Sequence, residues 1–383
     1  MGLPIGFLIG ISIGLLSTSI PAYHYSRMKR LSTKKFKKYK FLIYPEITIV
    51  LPVKDESLLI SRKLNEIMNM DYPLSSLNIL ILDSSSDKKT SDLAYNFFKN
   101  HKNKISFQII KINISGKSYA VNRALELVNT KFFIMLDVEP SISKNSFKLL
   151  MNWFMDPKIG AVCGNLATIS QTSNSHYRKR FNIIRTGESY LDSTPIFEGS
   201  LCAFRMASIG DRKIINYINA DDSQLAIIVR NNGFKAIMDP NLKFVEIDNN
   251  SFLSNIIRQT RRAQGLIRTL LHYVKLEINN PNYRKIYFNN LYFYVIYPWL
   301  ILMSIVLILI SFSMNFDQFN EYSYLYVPFV LSILILIKPI SNFLIGISVL
   351  LSSQILLIFG KKLNSWDTDQ KMRKNIKLNE IKD

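Results

Sequence analysis

The sequence predicts an α/β domain, a doubly wound parallel sheet held between membrane-spanning segments. Three observations carry that prediction. Residues 41–250 alternate short apolar runs with amphipathic stretches, the pattern of strands and helices in turn. Acidic residues recur directly after the apolar runs, at the strand ends where open parallel sheets bind ligands. Uncharged stretches long enough to cross a bilayer lie on both sides of this region.

The elements follow in order. Leu3 to Ile20 carries no charge, about the minimum for a spanning helix, so residues 1–22 read as an N-terminal anchor. Arg27, Lys29, Arg30, Lys34, Lys35, Lys37, Lys38 and Lys40 come next and belong on the cytoplasmic side, which puts the catalytic-sized middle of the chain in the cytoplasm. Ile47–Leu51 is a strand stopped by Pro52, followed by a helix through Met70. Leu77–Leu82 is a strand ending at Asp83, Ser91–Asn100 a helix and Ile105–Ile112 a strand. Tyr119–Val128 is a helix, Phe132–Leu136 a strand ending at Asp137, and Ser223–Asn232 a helix.

Past the soluble domain of residues 41–250, Phe252–Val274 repeats apolar residues at helical spacing, with Arg258, Arg261, Arg262 and Arg268 on the polar side. Residues 251–290 therefore read as amphipathic helices lying in the membrane interface. Residues 291–360 are a C-terminal membrane region with three apolar segments, Leu291–Ser313, Tyr322–Ile337 and Ile340–Gly360. Three full spans would place the tail, residues 361–383, outside, whereas its lysines favour the inside. The number of spans and the side of the tail stay open.

Composition narrows the function. Forty-eight Lys and Arg against 28 Asp and Glu give a net charge of +20, which calls for an anionic partner. The basic residues gather beside the spans instead of interleaving with aromatic residues, so nucleic acid is not expected. Cys163 and Cys202 are too few for a disulfide framework and read as buried small hydrophobes. No Cys or His cluster has zinc spacing, and no glycine-rich phosphate loop opens a helix. The strand-end acids Asp55, Glu56, Asp83, Asp137 and Glu139 instead suit a nucleotide diphosphate with Mg²⁺ or Mn²⁺, since carboxylates are the hard ligands such ions prefer. The alternative for each Asp alone is a helix or turn cap.

Seven motifs in order resemble glycosyltransferase family 2, inverting nucleotide-sugar enzymes with the Rossmann-like GT-A fold. They are Pro52-Val53-Lys54-Asp55-Glu56, Asp83-Ser84-Ser85-Ser86-Asp87 with Thr90, and Gly116-Lys117-Ser118-Tyr119-Ala120-Val121-Asn122. Then come Leu136-Asp137-Val138-Glu139 at the DxD position, Gly199 to Arg205, Asp221-Asp222-Ser223-Gln224-Leu225, and Gln259-Thr260-Arg261-Arg262-Ala263 at the QxxRW position. With flanking spans, the group resembled is that of the cellulose and hyaluronan synthases and ceramide glucosyltransferase.

The resemblance implies roles. Pro52, Glu56, Asp83, Lys117, Asp137, Gln259 and Arg262 would bind the UDP- or GDP-linked donor. Asp137 and Glu139 would hold the divalent cation. Asp222 would be the catalytic base, with Asp221, Gly199 and Ser200 toward the acceptor. Two departures are Glu139 for the second DxD acid and Ala263 for the Trp that forms part of the acceptor-sugar site in chain-building synthases. The expected activity is transfer of one sugar to a lipid or lipid-linked acceptor at the cytoplasmic membrane face. The alternatives are a processive polysaccharide synthase and a catalytically inactive membrane-tethered binding protein. Donor sugar, nucleotide, acceptor and oligomeric state are not legible. A late Ser365-Trp366-Asp367-Thr368-Asp369 weakly resembles a post-membrane element of polysaccharide synthases.

Overall fold

A computed structural model describes residues 5–37, 40–41, 44–101, 105–114, 116–167, 173–246, 252–276, 278–314 and 338–363. The expected segment Tyr322–Ile337 and the Ser365–Asp369 element lie outside these residues.

The soluble domain is built on an eight-stranded sheet. Its strands are β1 (Ile47–Val53), β2 (Leu77–Asp83), β3 (Ser106–Lys111), β4 (Phe132–Leu136), β5 (Ser141–Ile142), β6 (Ile159–Leu166), β7 (Leu201–Arg205) and β8 (Lys235–Val245). The spatial order is β3-β2-β1-β4-β7-β6-β8-β5. Strands β3, β2, β1 and β4 are parallel, as the sequence predicts.

The second half corrects the all-parallel expectation, because β7 runs antiparallel to both β4 and β6, and β5 antiparallel to β8. The reversal has a consequence for the site. Antiparallel pairing sets the start of β7 against the end of β4, Leu201 opposite Leu136, and the Asp137 N–H donates to the Ser200 carbonyl at 3.2 Å. Gly199 and Ser200 thereby arrive beside the Asp137 loop.

Strand residues alternate between two cores, as a pleat with period two requires. Ile47, Ile49, Leu51, Ile79, Ile81 and Ile134 face one side. Val50, Leu80, Leu82, Phe133 and Met135 face the other. Pro52 does not stop β1 as the sequence predicts. It pairs with Leu82 in the β1–β2 register, while the ladder with β4 ends at Val50. On the β4 side Pro52 is therefore in an edge position, which tolerates its missing N–H.

The helices are α1 (Ile5–Ser32), α2 (Ile60–Met68), α3 (Lys89–Lys99), α4 (Lys117–Leu127), α5 (Ser146–Trp153), α6 (Ser173–Leu191), α7 (Met206–Ile209) and α8 (Asp221–Asn231). They continue as α9 (Phe252–Tyr273), α10 (Pro281–Leu291), α11 (Tyr297–Met314) and α12 (Lys338–Ile358). A π-turn, Tyr292–Ile296, joins α10 and α11 into one rod, which begins at Pro281 before the expected Leu291. Three helical rods, Ile5–Ser32, Pro281–Met314 and Ile340–Ile358, are long and apolar enough to cross a membrane.

The spans pack through small residues. Gly10 and Gly14 of α1 lie against Ser304 of α11, and the Ser304 hydroxyl donates to the Gly10 carbonyl at 2.7 Å. Such close backbone approach is how helices associate where no water drives them together. The Tyr294 carbonyl in the π-turn accepts from the Gln354 side chain of α12 at 3.2 Å. One buried network ties α1 to the soluble domain. Glu188 of α6 is fully buried and accepts from Asn290 (2.7 Å) and Thr194 (2.7 Å), with His24 Nε2 at 3.1 Å.

Candidate active site

The neighbouring parallel strands β1, β2 and β4 carry the expected donor-binding residues Pro52 and Glu56, Asp83, and Asp137 at or just past their carboxyl ends. Asp55 follows β1 in the left-handed region (φ 53°), its N–H donating to Ser85 Oγ at 2.7 Å. Glu56 is buried, and its N–H donates to Thr90 at 3.0 Å. Asp83 is fully buried, accepting from the Ser85 N–H at 2.8 Å and from the Ser91 hydroxyl. Its carboxylate thus shapes the turn from β2 into α3. Across β1 and β2 Pro52 pairs with Leu82 and Val53 with Asp83, while Glu56 is tied to α3 through Thr90.

Lys117 opens α4 after Gly116, whose φ of 148° suits a residue without Cβ. Its Nζ lies 2.8 Å from Asp137 and 3.7 Å from Asp221. Burial would lower the Lys117 pKa, but attraction to Asp137, Asp221 and Asp222 outweighs it and raises the pKa. Lys117 is therefore a fixed cation joining the DxD-like loop to the acid pair.

That acid pair is held under backbone strain. Ala220 has φ 75°, a conformation costing an alanine about 1–3 kcal/mol. Asp221 and Asp222 then form the first turn of α8. The N-cap position is Ala220, so neither Asp221 nor Asp222 stands at it. Both are buried, and Asp221 Oδ2 has no hydrogen-bond partner among the described residues. Burial, and then the Asp221 charge, push the Asp222 carboxyl up to about 7 against the opposing pull of Lys117. A Cβ on Gly199 would lie 3.0 Å from Asp222 Oδ2, so a glycine leaves that carboxylate room.

Several positioning residues escape sequence reading. Arg62 of α2 grips the Asp137–Glu139 loop by its backbone, donating to the carbonyls of Val138 (2.9 Å) and Glu139 (2.6 Å). Asn122 donates to the Ile214 carbonyl at 2.7 Å and accepts from the Ile214 N–H at 3.0 Å, while Ser118 holds the Ile218 carbonyl at 2.9 Å. The Gly116–Asn122 motif thus anchors the loop leading to the acid pair. Glu246 is half-buried, its side chain 8% exposed, between Arg262 (3.4 Å) and Arg178 (3.7 Å), and it accepts from Ser200 at 2.9 Å. Burial would raise its pKa, yet Arg262, Arg178 and Arg258 hold it down to about 2. These roles lie in contacts with distant backbone and distant arginines, which motif spacing does not encode. Arg205, by contrast, points to the far end of β7 and donates to the carbonyls of Ile159 (3.1 Å) and Phe154 (2.9 Å).

The residues present fit a divalent ion shared with a substrate. Asp137 and Glu139 are both part-exposed while Val138 and Pro140 between and after them are buried, so the two acids share the open side of the loop. No group of three potential ligands converges among the described residues. Ions such as Mg²⁺ commonly take one or two carboxylates and complete their shell with phosphates and water.

A cavity of about 320 Å³ runs from Lys117 and the Asp221–Asp222 pair toward the membrane helices, with Asp137 and Glu139 outside its lining. Lys117, Asp221, Asp222, Gln259 and Arg262 line its polar part. Gln259 and Arg262, three residues apart on α9, share one face as expected. Leu266, Tyr294, Val349 and Leu350 line the other part, beside the buried Ala263. α9 packs on α12 and on the loop before the acid pair. Gln264 is buried and donates to the carbonyls of Ser353 (3.3 Å) and Lys361 (3.2 Å), and a Cβ on Gly265 would lie 2.9 Å from the Asn219 carbonyl.

Comparison with known proteins bears on the family and the fold. Residues 48–223 match the family described as Glycosyl transferase family 2. A poly-β-1,6-N-acetyl-D-glucosamine synthase of Staphylococcus epidermidis is 24% identical over 173 residues, 43% of this chain and 40% of that protein. A dolichyl N-acetyl-α-D-glucosaminyl phosphate 3-β-D-2,3-diacetamido-2,3-dideoxy-β-D-glucuronosyltransferase of Methanococcus voltae is 26% identical over 212 residues, 51% of this chain and 65% of that protein. The chain therefore spans less than two thirds of the length of either relative. Among solved structures, the mannosyltransferase PcManGT from Pyrobaculum calidifontis, in complex with GDP-Man and Mn²⁺, superposes with a TM-score of 0.80 at 22% identity. That likeness covers 93% of this chain and all of the other, and it establishes a shared GT-A fold.

Proposed function

The chain carries a family 2 glycosyltransferase domain on a GT-A fold, and from that premise we propose that it moves one sugar, with inversion, from a UDP- or GDP-linked donor to a lipid or lipid-linked acceptor at the cytoplasmic membrane face. The observation carrying this reading is the single cavity that joins the acid pair to apolar side chains of the membrane helices. A water-soluble acceptor would have no use for a wall made by Tyr294, Val349 and Leu350.

In the proposed reaction the acceptor hydroxyl gives its proton to the Asp222 carboxylate as its oxygen attacks the anomeric carbon. The bond from that carbon to the diphosphate oxygen breaks, and the nucleoside diphosphate leaves with the electron pair. Lys117, at the start of α4, and Arg262 face the negative charge that develops there. Asp137 and Glu139 would hold a Mg²⁺ or Mn²⁺ ion, which when bound supplies further positive charge to the leaving group. Pro52, Glu56 and Asp83 would form the nucleoside end. Gly199, Ser200 and Asp221 would border the acceptor.

Purified full-length protein in detergent, offered UDP- and GDP-sugars with a lipid extract, tests this reading. Release of one nucleoside diphosphate, dependent on lipid and lost on EDTA treatment, is the expected result. A long glycan made from donor alone would overturn single addition in favour of processive synthesis. No release from any donor would favour an inactive binding protein.

A further inference from the structure

Among the described residues that line the cavity, cationic side chains outnumber carboxylates. The five cations are Lys117, Arg178, Arg185, Arg261 and Arg262, against three carboxylates, Glu198, Asp221 and Asp222. Lys117 is engaged with Asp137 and Asp221, and Arg262 lies on the α9 side with Glu246. Arg178 and Arg185 belong to α6, on a different wall.

Their surroundings leave donors to spare. Arg178 reaches Glu246 only at 3.7 Å, beyond hydrogen-bonding distance, and its side chain is 27% exposed. Arg185 is buried, bonds Glu198 through one terminal nitrogen, and keeps a buried Nε–H without a partner among the described residues. Its guanidinium stands 5.8 Å from the Phe181 ring centroid. Phe181 also lines the cavity, as do Leu266, Tyr294, Val349 and Leu350. An arginine pair next to an apolar wall suits a phosphate ester on a hydrocarbon chain, because guanidinium groups bind phosphate in a bidentate, charge-assisted way.

Resting on the transferase reading above, we infer that Arg178 and Arg185 bind a phosphate that joins the acceptor to its lipid, so the acceptor class is a lipid phosphate and not a neutral glyceride or sphingoid lipid. The phosphate is a handle: it seats the acceptor while a separate hydroxyl faces Asp222.

The test measures binding to the purified full-length protein in detergent, with farnesyl phosphate, farnesol, inorganic phosphate and phosphatidylglycerol as probes. Farnesyl phosphate should bind at least about tenfold more tightly than farnesol, and inorganic phosphate should displace it at high concentration. Arg178→Gln should remove that preference while Arg178→Lys restores part of it, with GDP or UDP binding in Mn²⁺ unchanged in both. Arg185→Lys should weaken it as well, and intact nucleotide binding there reports a folded domain. Equal binding of farnesol and farnesyl phosphate, or an unchanged preference in Arg178→Gln, overturns the inference. Phosphatidylglycerol, whose phosphate also joins a hydroxyl-bearing group to lipid, should lose binding in Arg178→Gln as farnesyl phosphate does; phosphatidylglycerol binding left unchanged by that substitution overturns the inference. Failure of wild-type protein to bind either nucleotide would instead count against the transferase reading, leaving the phosphate preference to be judged by itself.

Discussion

Asp222 carries two pH predictions of opposite sense. As the proposed base it would act only when ionised, and burial with the Asp221 charge pushes its carboxyl up to about 7. Turnover should rise about tenfold per pH unit below 7 and level off above it, read from a pH–rate profile. Stability should run the other way. A carboxyl with a raised folded pKa contributes stability below its unfolded value, near 3.8, and loses it as pH rises through about 7. Asp222→Asn should therefore cost about 10²–10⁴-fold in turnover while becoming more stable than wild type between pH 4 and pH 7. Thermal unfolding across that range checks the second half. Glu246 has the reverse sign. Its pKa falls from 4.5 to about 2, so its stabilisation is complete above pH 4.5 and is lost as pH drops through 2. Glu246→Gln should destabilise the protein at neutral pH and raise the donor KM several-fold. With Glu246 neutral, Arg262 and Arg178 would repel each other with no anion between them.

At the scale of elements, the site depends on helices gripping loops. Arg62→Ala removes the clamp of α2 on the Asp137–Glu139 loop. Donor affinity should fall about tenfold while the sheet stays folded, read by nucleotide titration with Mn²⁺ against circular dichroism, since hydrogen bonds from a charged donor are worth about 1.5–3 kcal/mol each. Gly187 lets α6 approach α1 so closely that a Cβ would lie 2.3 Å from the Met28 carbonyl. Gly187→Leu should force the helices apart and destabilise the protein by about 1–3 kcal/mol, read as a lower Tm in detergent. Legibility divides along the same lines. Strands β1 to β4 were readable within about two residues because each is a short apolar run ending at a polar residue. β7 was not readable as antiparallel, because its partners lie far away in the chain and its composition is the same either way round. The strand-end acids and the Gln259–Arg262 pair stand out by position. Arg62, Asn122, Arg178, Arg185 and Glu246 do not, because surface-type residues acquire these roles only once tertiary structure brings a carbonyl or an opposite charge to them.

For the whole molecule, the proposed cytoplasmic placement of the α/β domain rests on the basic run after α1. Lys89 is well exposed, while the two native cysteines, Cys163 and Cys202, are buried opposite each other in β6 and β7. In intact cells Lys89→Cys should resist an impermeant thiol reagent and react after permeabilisation; reaction in intact cells would reverse the orientation. The three rods bind the domain through the Glu188 network on one side and the Gln264 contacts on the other, so the catalytic crevice does not swing free of the bilayer. The wall contributed by Tyr294, Val349 and Leu350 then changes what concentration means for this enzyme. On the proposed reaction, its second substrate would arrive by lateral diffusion in two dimensions. Velocity should follow the mole fraction of acceptor within the micelle or vesicle, and adding empty detergent at constant total acceptor should slow the reaction by surface dilution alone.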